Sequence, residues 1–453
     1  MKKRFDYDLV VIGSGDAGSE AALIAAKSGL NVALVEAKKW GGSNLNTSNV
    51  PLGAALTAAF SYKQALASTR FGISSGNLRY NYPTLLNWKG QAAKRAGANS
   101  KKIFEEAKIT CIHGTARFVS KTEIVVGKDT IAAKKFLIAT GASVADTGIK
   151  IPENTDYYLP ENVLDIPRVP KSIFVVGAGS TGCEFAQYFA ALGSEVVIAD
   201  IAGRLLPRED EEVGQVLDEV FRNDDIKILT QSRVVAVEKD GLEKRVIFMR
   251  GGQEKSIKVD AVVFCTGSAP NVDLGLENAG VKYTRNGIKV DSTMQTSVRH
   301  IYAAGDVIGG NSSTEKAVID ARVAAAHIIG KSKLERNYAG LIRVTNTCPE
   351  VAQVGISEDD CIRRDRKVKK ITVPLQAVQK ANTSDYYSGF VKLIFGKSGT
   401  LIGGTIMAPN AALIAQELAI AVRYEMNASE IAAVPHVTND WSELVRSAAE
   451  RIK

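Results

Sequence analysis

Apolar positions along the chain fall in short runs. The stretch YDLVVIGSGDAGSEAALIAAKSGLNVALVEA orders an apolar run, a Gly-rich turn, an Ala-rich segment and a second apolar run ending in an acid, which predicts a strand–helix–strand unit. The order recurs in KSIFVVGAGSTGCEFAQYFAALGSEVVIADIAGRLLPRED, and the registers agree. Gly13, Gly15, Gly18, Glu20 and Glu36 match Gly177, Gly179, Gly182, Glu184 and Asp200, with the terminal acid 23 residues after the first Gly in each copy. In such a unit the first Gly permits a tight turn, the second lets a pyrophosphate approach the backbone, and the third allows close helix packing. Phosphates then meet the positive end of the helix, and the acid holds a ribose diol. The chain is expected to carry two dinucleotide sites. With Asp200 at the second, and no Arg at or directly after it, a 2′-phosphate is repelled and NADH is favoured over NADPH; Arg204 stands nearby.

Each unit is followed by an apolar strand ending in Thr-Gly, in FLIATGA (136–142) and VVFCTGSAPN (262–271). HIYAAGDVIGG sets Asp306 beyond another such strand, where a carboxylate can accept polyol hydroxyl protons. An ordinary turn aspartate is the plain alternative. From about Asn337 the pattern changes to strands such as GFVKLIFG and TLIGGTIMA followed by a helix, AALIAQELAIAVRYE, which predicts a separate α+β domain. The stretch from Tyr62 to Lys108 reads as helices with a polar interior and carries no functional expectation.

Length and composition narrow the class without changing it. The 453 residues suggest about three domains, and 45% hydrophobic with 23% charged residues is a globular profile. No apolar run reaches the roughly 20 residues that span a bilayer, and Asp6 and Asp8 interrupt what would be the apolar part of a signal peptide, so a cytoplasmic protein is expected. The five cysteines, Cys111, Cys183, Cys265, Cys348 and Cys361, form no CxxC, which argues against a zinc cluster or a disulfide framework. The net charge of +8 is spread over mixed signs and reads as a solvated basic surface, with no nucleic-acid motif.

Taken together, GSGDAGSEAAL, WGGSNLNTSNVP, IATGA, VVGAGSTGCEFA, IADIAGRLLPREDEEV, IYAAGDV, CPEVAQVGISE and the GFVKLI region resemble the flavin-dependent pyridine nucleotide-disulfide oxidoreductases, of the lipoamide dehydrogenase type, over essentially the whole chain. The resemblance implies an α/β fold with two Rossmann-like domains and a C-terminal α+β dimerisation domain. It implies an FAD domain at 1–150, an NAD domain at 151–275, a central segment completing the FAD domain at 276–336, and an interface domain at 337–453. Carried over by position, Gly13, Gly15, Gly18 and Glu36 would hold the adenine half of FAD, with Ala116 on the adenine side. Gly42, Ser43, Thr140 and Gly141 would line the rest of the FAD site, Gly141 in its pyrophosphate region. Asp306 would bind the ribityl chain and Thr314 the flavin edge. Gly177, Gly179, Gly182, Asp200, Val234 and Gly267 would hold NAD.

The resemblance breaks at the active site. Asn44 and Asn49 stand where the family has its two redox cysteines, with Asn46 and Pro51 retained, and a carboxamide can become neither a thiolate nor a disulfide. Gly53 occupies the position of a lysine that in the family pairs with the glutamate at the position of Glu184. A buried carboxylate without its cation must find another partner or rise in pKa, and the second is expected of Glu184. In PHVTNDWSELV, matching Ser442 and Glu443 puts Thr438 at the family's catalytic histidine, whereas matching His436 leaves Glu443 two residues too far. His436 is therefore as readily structural as catalytic.

All these losses fall on the disulfide half-reaction, and the nucleotide fingerprints stay whole. The favoured function is an NADH-dependent, FAD-containing homodimeric oxidoreductase that passes electrons from reduced flavin to a quinone, another small oxidant or a protein carrier. The alternatives are a catalytically silent FAD- and NAD-binding partner or sensor, and a disulfide reductase using a displaced thiol such as Cys183 or Cys348.

Overall fold

A computed structural model describes residues 5–74, 76–310, 312–330 and 333–452, and the basic start at residues 1–4 lies outside them. The chain divides into two compact units, one of Met1–Ala54, Leu86–Asp146 and Gly267–Tyr338, the other of Ala55–Leu85, Thr147–Thr266 and Ala339–Lys453. Among the described residues no helix is long and apolar enough to cross a membrane.

The first unit begins with β1 (Tyr7–Ile12), α1 (Asp16–Lys27) and β2 (Val32–Glu36). Strands β1 and β2 run parallel, flanked by β3 (Thr110–His113) and β6 (Asp129–Ile138) in the order β3-β2-β1-β6. β1 and β2 read as near-continuous apolar runs because helices cover such sheets on both faces. Strands β4 (Ala116–Ser120) and β5 (Glu123–Val126) join the first half of β6 antiparallel, β7 (Ala142–Val144) pairs with β15 (Ser268–Pro270), and β18 (Ile301–Ala303) pairs parallel with the second half of β6. Two short strands, β16 (Tyr283–Thr284) and β17 (Gly287–Ile288), make a ribbon. Helices α2 (Gly42–Asn46), α3 (Asn49–Ala67), α4 (Tyr82–Gly97), α5 (Ser100–Glu106), α8 (Leu276–Ala279) and α9 (Thr314–Ile329) complete the picture on either side of the unit boundaries. α1 and α9 share one core through small residues: Ala17, Ala21, Ala22 and Ala25 with Ala317, Ala321 and Ala324.

The second unit repeats the scheme with β8 (Ser172–Val176), α6 (Ser180–Ala191), β9 (Glu195–Ala199), β10 (Lys227–Leu229) and β14 (Ala261–Phe264), all parallel in the order β10-β9-β8-β14. Helix α7 (Glu211–Asn223) and the antiparallel sheet β11 (Ser232–Asp240), β12 (Glu243–Arg250) and β13 (Gln253–Val259) fill the interval between β9 and β14. The rest is a five-stranded antiparallel sheet, β19-β20-β23-β22-β21, made of β19 (Ile342–Thr345), β20 (Glu350–Gly355), β21 (Lys369–Pro374), β22 (Phe390–Phe395) and β23 (Leu401–Ala408). Its core is closed by α12 (Ala411–Arg423) and α14 (Glu443–Arg451), with α10 (Glu358–Arg363), α11 (Gln379–Ser384) and α13 (Ala428–Ala432) as short connections. Within this unit the fully buried Lys392 of β22 meets Glu212 at 2.6 Å, Glu358 at 2.7 Å and Asp210 at 3.4 Å. Burial alone would favour the neutral amine, but the hydrogen bonds to Glu212 and Glu358 outweigh it and raise its pKa. This buried ion cluster ties the start of α7 to the five-stranded sheet.

Candidate functional site

The two Gly-rich turns have the same geometry for the same reason. Gly13 (φ +102°) and Gly177 (φ +104°) lie in backbone conformations that side chains rarely adopt, and a Cβ there would stand 2.3 Å from the carbonyl oxygen of Ala139 or 2.4 Å from that of Cys265. A Cβ at Gly18 or Gly182 would lie 1.8 or 1.9 Å from the carbonyl oxygen of Gly13 or Gly177, so helix and turn touch backbone to backbone. At Gly15 and Gly179, the residues that open α1 and α6, a Cβ would meet no protein atom within 4 Å. Packing inside the protein therefore does not explain those two glycines, and close approach of a ligand to a helix N-terminus does. The acids close each turn. Glu36 accepts from Ser14 N (2.9 Å) and Ser14 Oγ (2.7 Å) through Oε2, and from Lys38 N (2.7 Å) through Oε1. Asp200 accepts from Ala178 N (2.6 Å) and Ala202 N (2.7 Å). Arg204 is engaged by Asp359 and by the carbonyl of Glu209.

Around the first turn the unit gathers most of the residues singled out in the sequence. Gly42 (φ +68°) packs so closely that a Cβ would sit 2.6 Å from Gly15 Cα, and Ser43 beside it is exposed. Thr140 donates to the Asn271 carbonyl (2.8 Å), while Asn271 donates through its backbone N to Gly141 (2.9 Å) and through Nδ2 to Thr140 (2.9 Å), which locks the Thr-Gly turn. Ala116 and, in the second unit, Val234 turn their side chains into apolar cores, and Gly267 (φ +97°) accepts from Ala145 N (3.1 Å). Asp306 keeps a buried Oδ1 with no hydrogen-bond partner among the described residues, and burial pushes its pKa up. A buried orphan acceptor at the end of β18 fits a ligand hydroxyl. Orphan carboxylate and Gly cradle together fit an extended dinucleotide.

Asn44 reaches Asp16, the first residue of α1, directly, and Asn49 is linked to it through Thr314. Asn44 Nδ2 donates to Asp16 Oδ1 (2.8 Å), Thr314 Oγ1 donates to Asp16 Oδ2 (3.2 Å), and Asn49 Nδ2 donates to Thr314 Oγ1 (3.4 Å). Asn46 caps its own turn by donating to the Trp40 and Gly42 carbonyls. Sequence reading passed over Asp16, although an acid inside a phosphate-binding fingerprint is itself an anomaly. All five thiols have raised pKa values, with burial the largest cause for each of Cys111, Cys183, Cys265, Cys348 and Cys361.

In the second unit Glu184 is buried on α6, and its Oε1 accepts from Asn346 N (2.7 Å) and Asn346 Nδ2 (2.9 Å). Burial nevertheless pushes its carboxyl up to about 7. The sequence posed a new partner or a raised pKa, and both are present. Near the C-terminus His436 and Glu443 have separate partners. His436 Nε2 lies 2.8 Å from Glu417 of α12 and its Nδ1 2.8 Å from the Val434 carbonyl. Glu443 binds Arg446 instead (3.0 Å), and Thr438 is exposed. Glu417 lies 19 residues before His436, a separation without any motif to announce it.

Comparison with known proteins agrees with this architecture. The family model described as pyridine nucleotide-disulphide oxidoreductase matches residues 7–326, and that of the family's dimerisation domain matches 341–449. Dihydrolipoyl dehydrogenase of Mycobacterium bovis is 34% identical over 451 residues, covering 97% of both chains, and that of Staphylococcus aureus is 31% identical over 458 residues, covering 98% of this chain and 96% of that one. Among solved structures, LpdA from Mycobacterium tuberculosis superposes with a TM-score of 0.90 at 25% identity, covering 98% and 99% of the two chains. The flavoprotein disulfide reductase RclA from Escherichia coli shares the fold, with a TM-score of 0.88 at 22% identity over 99% of this chain and 100% of that one. Two dinucleotide folds in one register, followed by a dimerisation domain, make the chain a member of the pyridine nucleotide-disulphide oxidoreductase family.

Proposed function

We propose that the protein is an NADH-dependent flavoprotein oxidoreductase that reduces a non-disulfide acceptor without a cysteine relay. The observation that carries this reading is that Asn44 and Asn49, at the positions where the resemblance puts the family's dithiol, have their amides taken up by Asp16 and Thr314, in a chain whose five thiols all have pKa values raised by burial. A thiol that does not ionise is a poor nucleophile, which weighs against displaced dithiol chemistry at Cys183 or Cys348.

FAD would occupy the first turn, with Gly13, Gly15 and Gly18 under its pyrophosphate, Glu36 on the adenosine ribose, Asp306 on the ribityl hydroxyls and Thr314 at the flavin edge. NADH would occupy the second turn, with Asp200 on the ribose diol. Asp200 repels a 2′-phosphate, and Arg204, committed to Asp359 and Glu209, is not free to attract one. Bound FAD supplies hydride acceptance from the nicotinamide and electron transfer onward to a quinone, another small oxidant or a protein carrier. The residues of the chain hold and orient: the α1 and α6 N-termini receive phosphates, and the Asn44–Asp16–Thr314–Asn49 network presents polar groups where the family presents sulfur. A homodimer is supported by the dimerisation-domain match and by exposed Leu413, Ile420 and Tyr424, which share one face of α12 and its cap, with exposed Val434 and Val437 following.

The test is steady-state NADH oxidation by the flavin-loaded protein with quinones, dyes and lipoamide as acceptors. Turnover with a quinone or dye and none with lipoamide is expected. Turnover with lipoamide alone would overturn the reading.

A further inference from the structure

We propose that the turn joining α10 to β21 and the turn joining β22 to β23 form a binding site for an oligophosphate group, separate from both Gly-rich turns and independent of what the flavin reduces. The order of charges along the chain is the starting point. Residues 358–370 read EDDCIRRDRKVKK, three acids and then six cations with Asp365 among them. All three leading acids are taken: Glu358 by Lys392 (2.7 Å) and Lys370, Asp359 by Arg204, and Asp360 by Arg363 (2.5 Å). Arg364, Arg366 and Lys367 are left exposed beyond them. The sheet then adds a fourth cation. Lys369 pairs with Phe395 across β21 and β22, which brings the β22–β23 turn, with its exposed Lys397, up to the α10–β21 turn.

An open cavity of about 440 Å³ lies between the two turns, lined by Arg364, Asp365, Arg366, Lys367, Lys397 and Ser398. Four of these are cations, one is an acid and none is apolar. Among the described residues none of the four cations makes an ion pair with a carboxylate, Asp365 included. Backbone bonds fix both walls. On one, Asp365 stands at φ +49°, a conformation that aspartate tolerates, while its N donates to the Ile362 carbonyl (3.1 Å) and Arg366 N donates to the Cys361 carbonyl (2.9 Å). On the other, Gly396 N donates to the Thr400 carbonyl and Gly399 N to the Gly396 carbonyl, both at 2.9 Å. Four like charges held on two fixed turns repel one another, and one acid does not balance them; a bound anion of several charges does. Guanidinium forks grip phosphate oxygens in pairs, ammonium groups neutralise them as point charges, and the Ser398 hydroxyl can donate to them. With no aromatic or apolar wall to hold a base or an acyl chain, this donor set fits a bare phosphate chain.

The test is calorimetric titration of tripolyphosphate into the flavin-loaded protein at low ionic strength, with NAD+ in excess so that the second Gly-rich turn is filled. Binding at one site per subunit, weakened as salt is raised, is expected. Arg366→Glu and Lys397→Glu change one exposed side chain on each wall, and each should weaken binding about tenfold or more, with Arg366→Lys affected less than Arg366→Glu. Arg285→Glu, exposed on the β16–β17 ribbon, makes the same change in net charge and should leave binding as it was. Melting temperatures of the variants, compared with wild type, keep lost binding apart from lost folding. Absence of binding overturns the proposal, as does binding that Arg285→Glu weakens as much as the two wall variants do. Binding that survives both wall variants and falls as NAD+ is raised belongs to the Gly-rich turns and also overturns it. Co-sedimentation with phosphatidylglycerol vesicles separates the sources of phosphate: retention on vesicles by a protein that does not bind tripolyphosphate would give the patch to a membrane surface and overturn the assignment.

Discussion

Replacing Glu184 by glutamine is expected to make the protein more stable above neutral pH and to leave it unchanged in acid. The carboxyl is raised from 4.5 to about 7 because folding removes it from water, and the Asn346 bonds only partly offset that. Between these values the unfolded chain has lost the proton and the folded chain still holds it. Stability therefore falls as pH rises, by about 1.4 kcal/mol per pH unit. Across the gap of about 2.5 units the folded state loses about 3 kcal/mol, all of it above pH 7 and none of it below pH 4.5. Glutamine has the same shape and no charge to desolvate, so Glu184→Gln removes the slope. Thermal unfolding of flavin-loaded wild type and variant, run at fixed flavin concentration from pH 5 to pH 8.5, reads the difference. A separation that is smallest at pH 5 and grows to several degrees at pH 8 is expected. A variant less stable than wild type at pH 8 would refute the reasoning, because it would mean that the ionised carboxylate is a net stabiliser.

Three other outcomes follow from the same geometry. Gly18→Ala places a methyl 1.8 Å from the Gly13 carbonyl oxygen, so α1 must shift; the purified variant should lose bound flavin, read as the 450 nm absorbance per protein. Lys392→Met leaves Asp210, Glu212 and Glu358 without their shared cation and should destabilise by about 3–5 kcal/mol, measured by denaturant unfolding at fixed protein concentration. Asp306→Ala removes the orphan buried acceptor and should weaken FAD binding roughly tenfold or more when the apoprotein is reconstituted and followed by flavin fluorescence.

Much of the fold was legible because its signals are local. The repeated Gly spacing with a closing acid fixes turn, helix and strand in one stretch, and the parallel order of β1, β2 and β6 and of β8, β9 and β14 follows from it. The change of pattern near Asn337 likewise announced the antiparallel sheet. What was not legible depends on contacts across long separations. Asn346 reaches Glu184 from 162 positions away, and Asn49 reaches Thr314 across 265. No spacing rule encodes either contact. Glu417 escaped for another reason: His436 carries a motif-like neighbour in Glu443, and the helix α14 turns that carboxylate toward Arg446. Asp16 was in plain view, but its meaning depends on Asn44 and Thr314 closing around it.

The central claim is that the flavin is the only two-electron store in the subunit. Anaerobic titration of the flavin-loaded protein with dithionite, followed across the visible spectrum, counts that store directly. Full bleaching after two electrons per flavin, with no long-wavelength thiolate-to-flavin band at any stage, is the result the Asn44 and Asn49 substitutions predict. Uptake of four electrons per flavin, with such a band midway, would contradict it by revealing a redox-active disulfide.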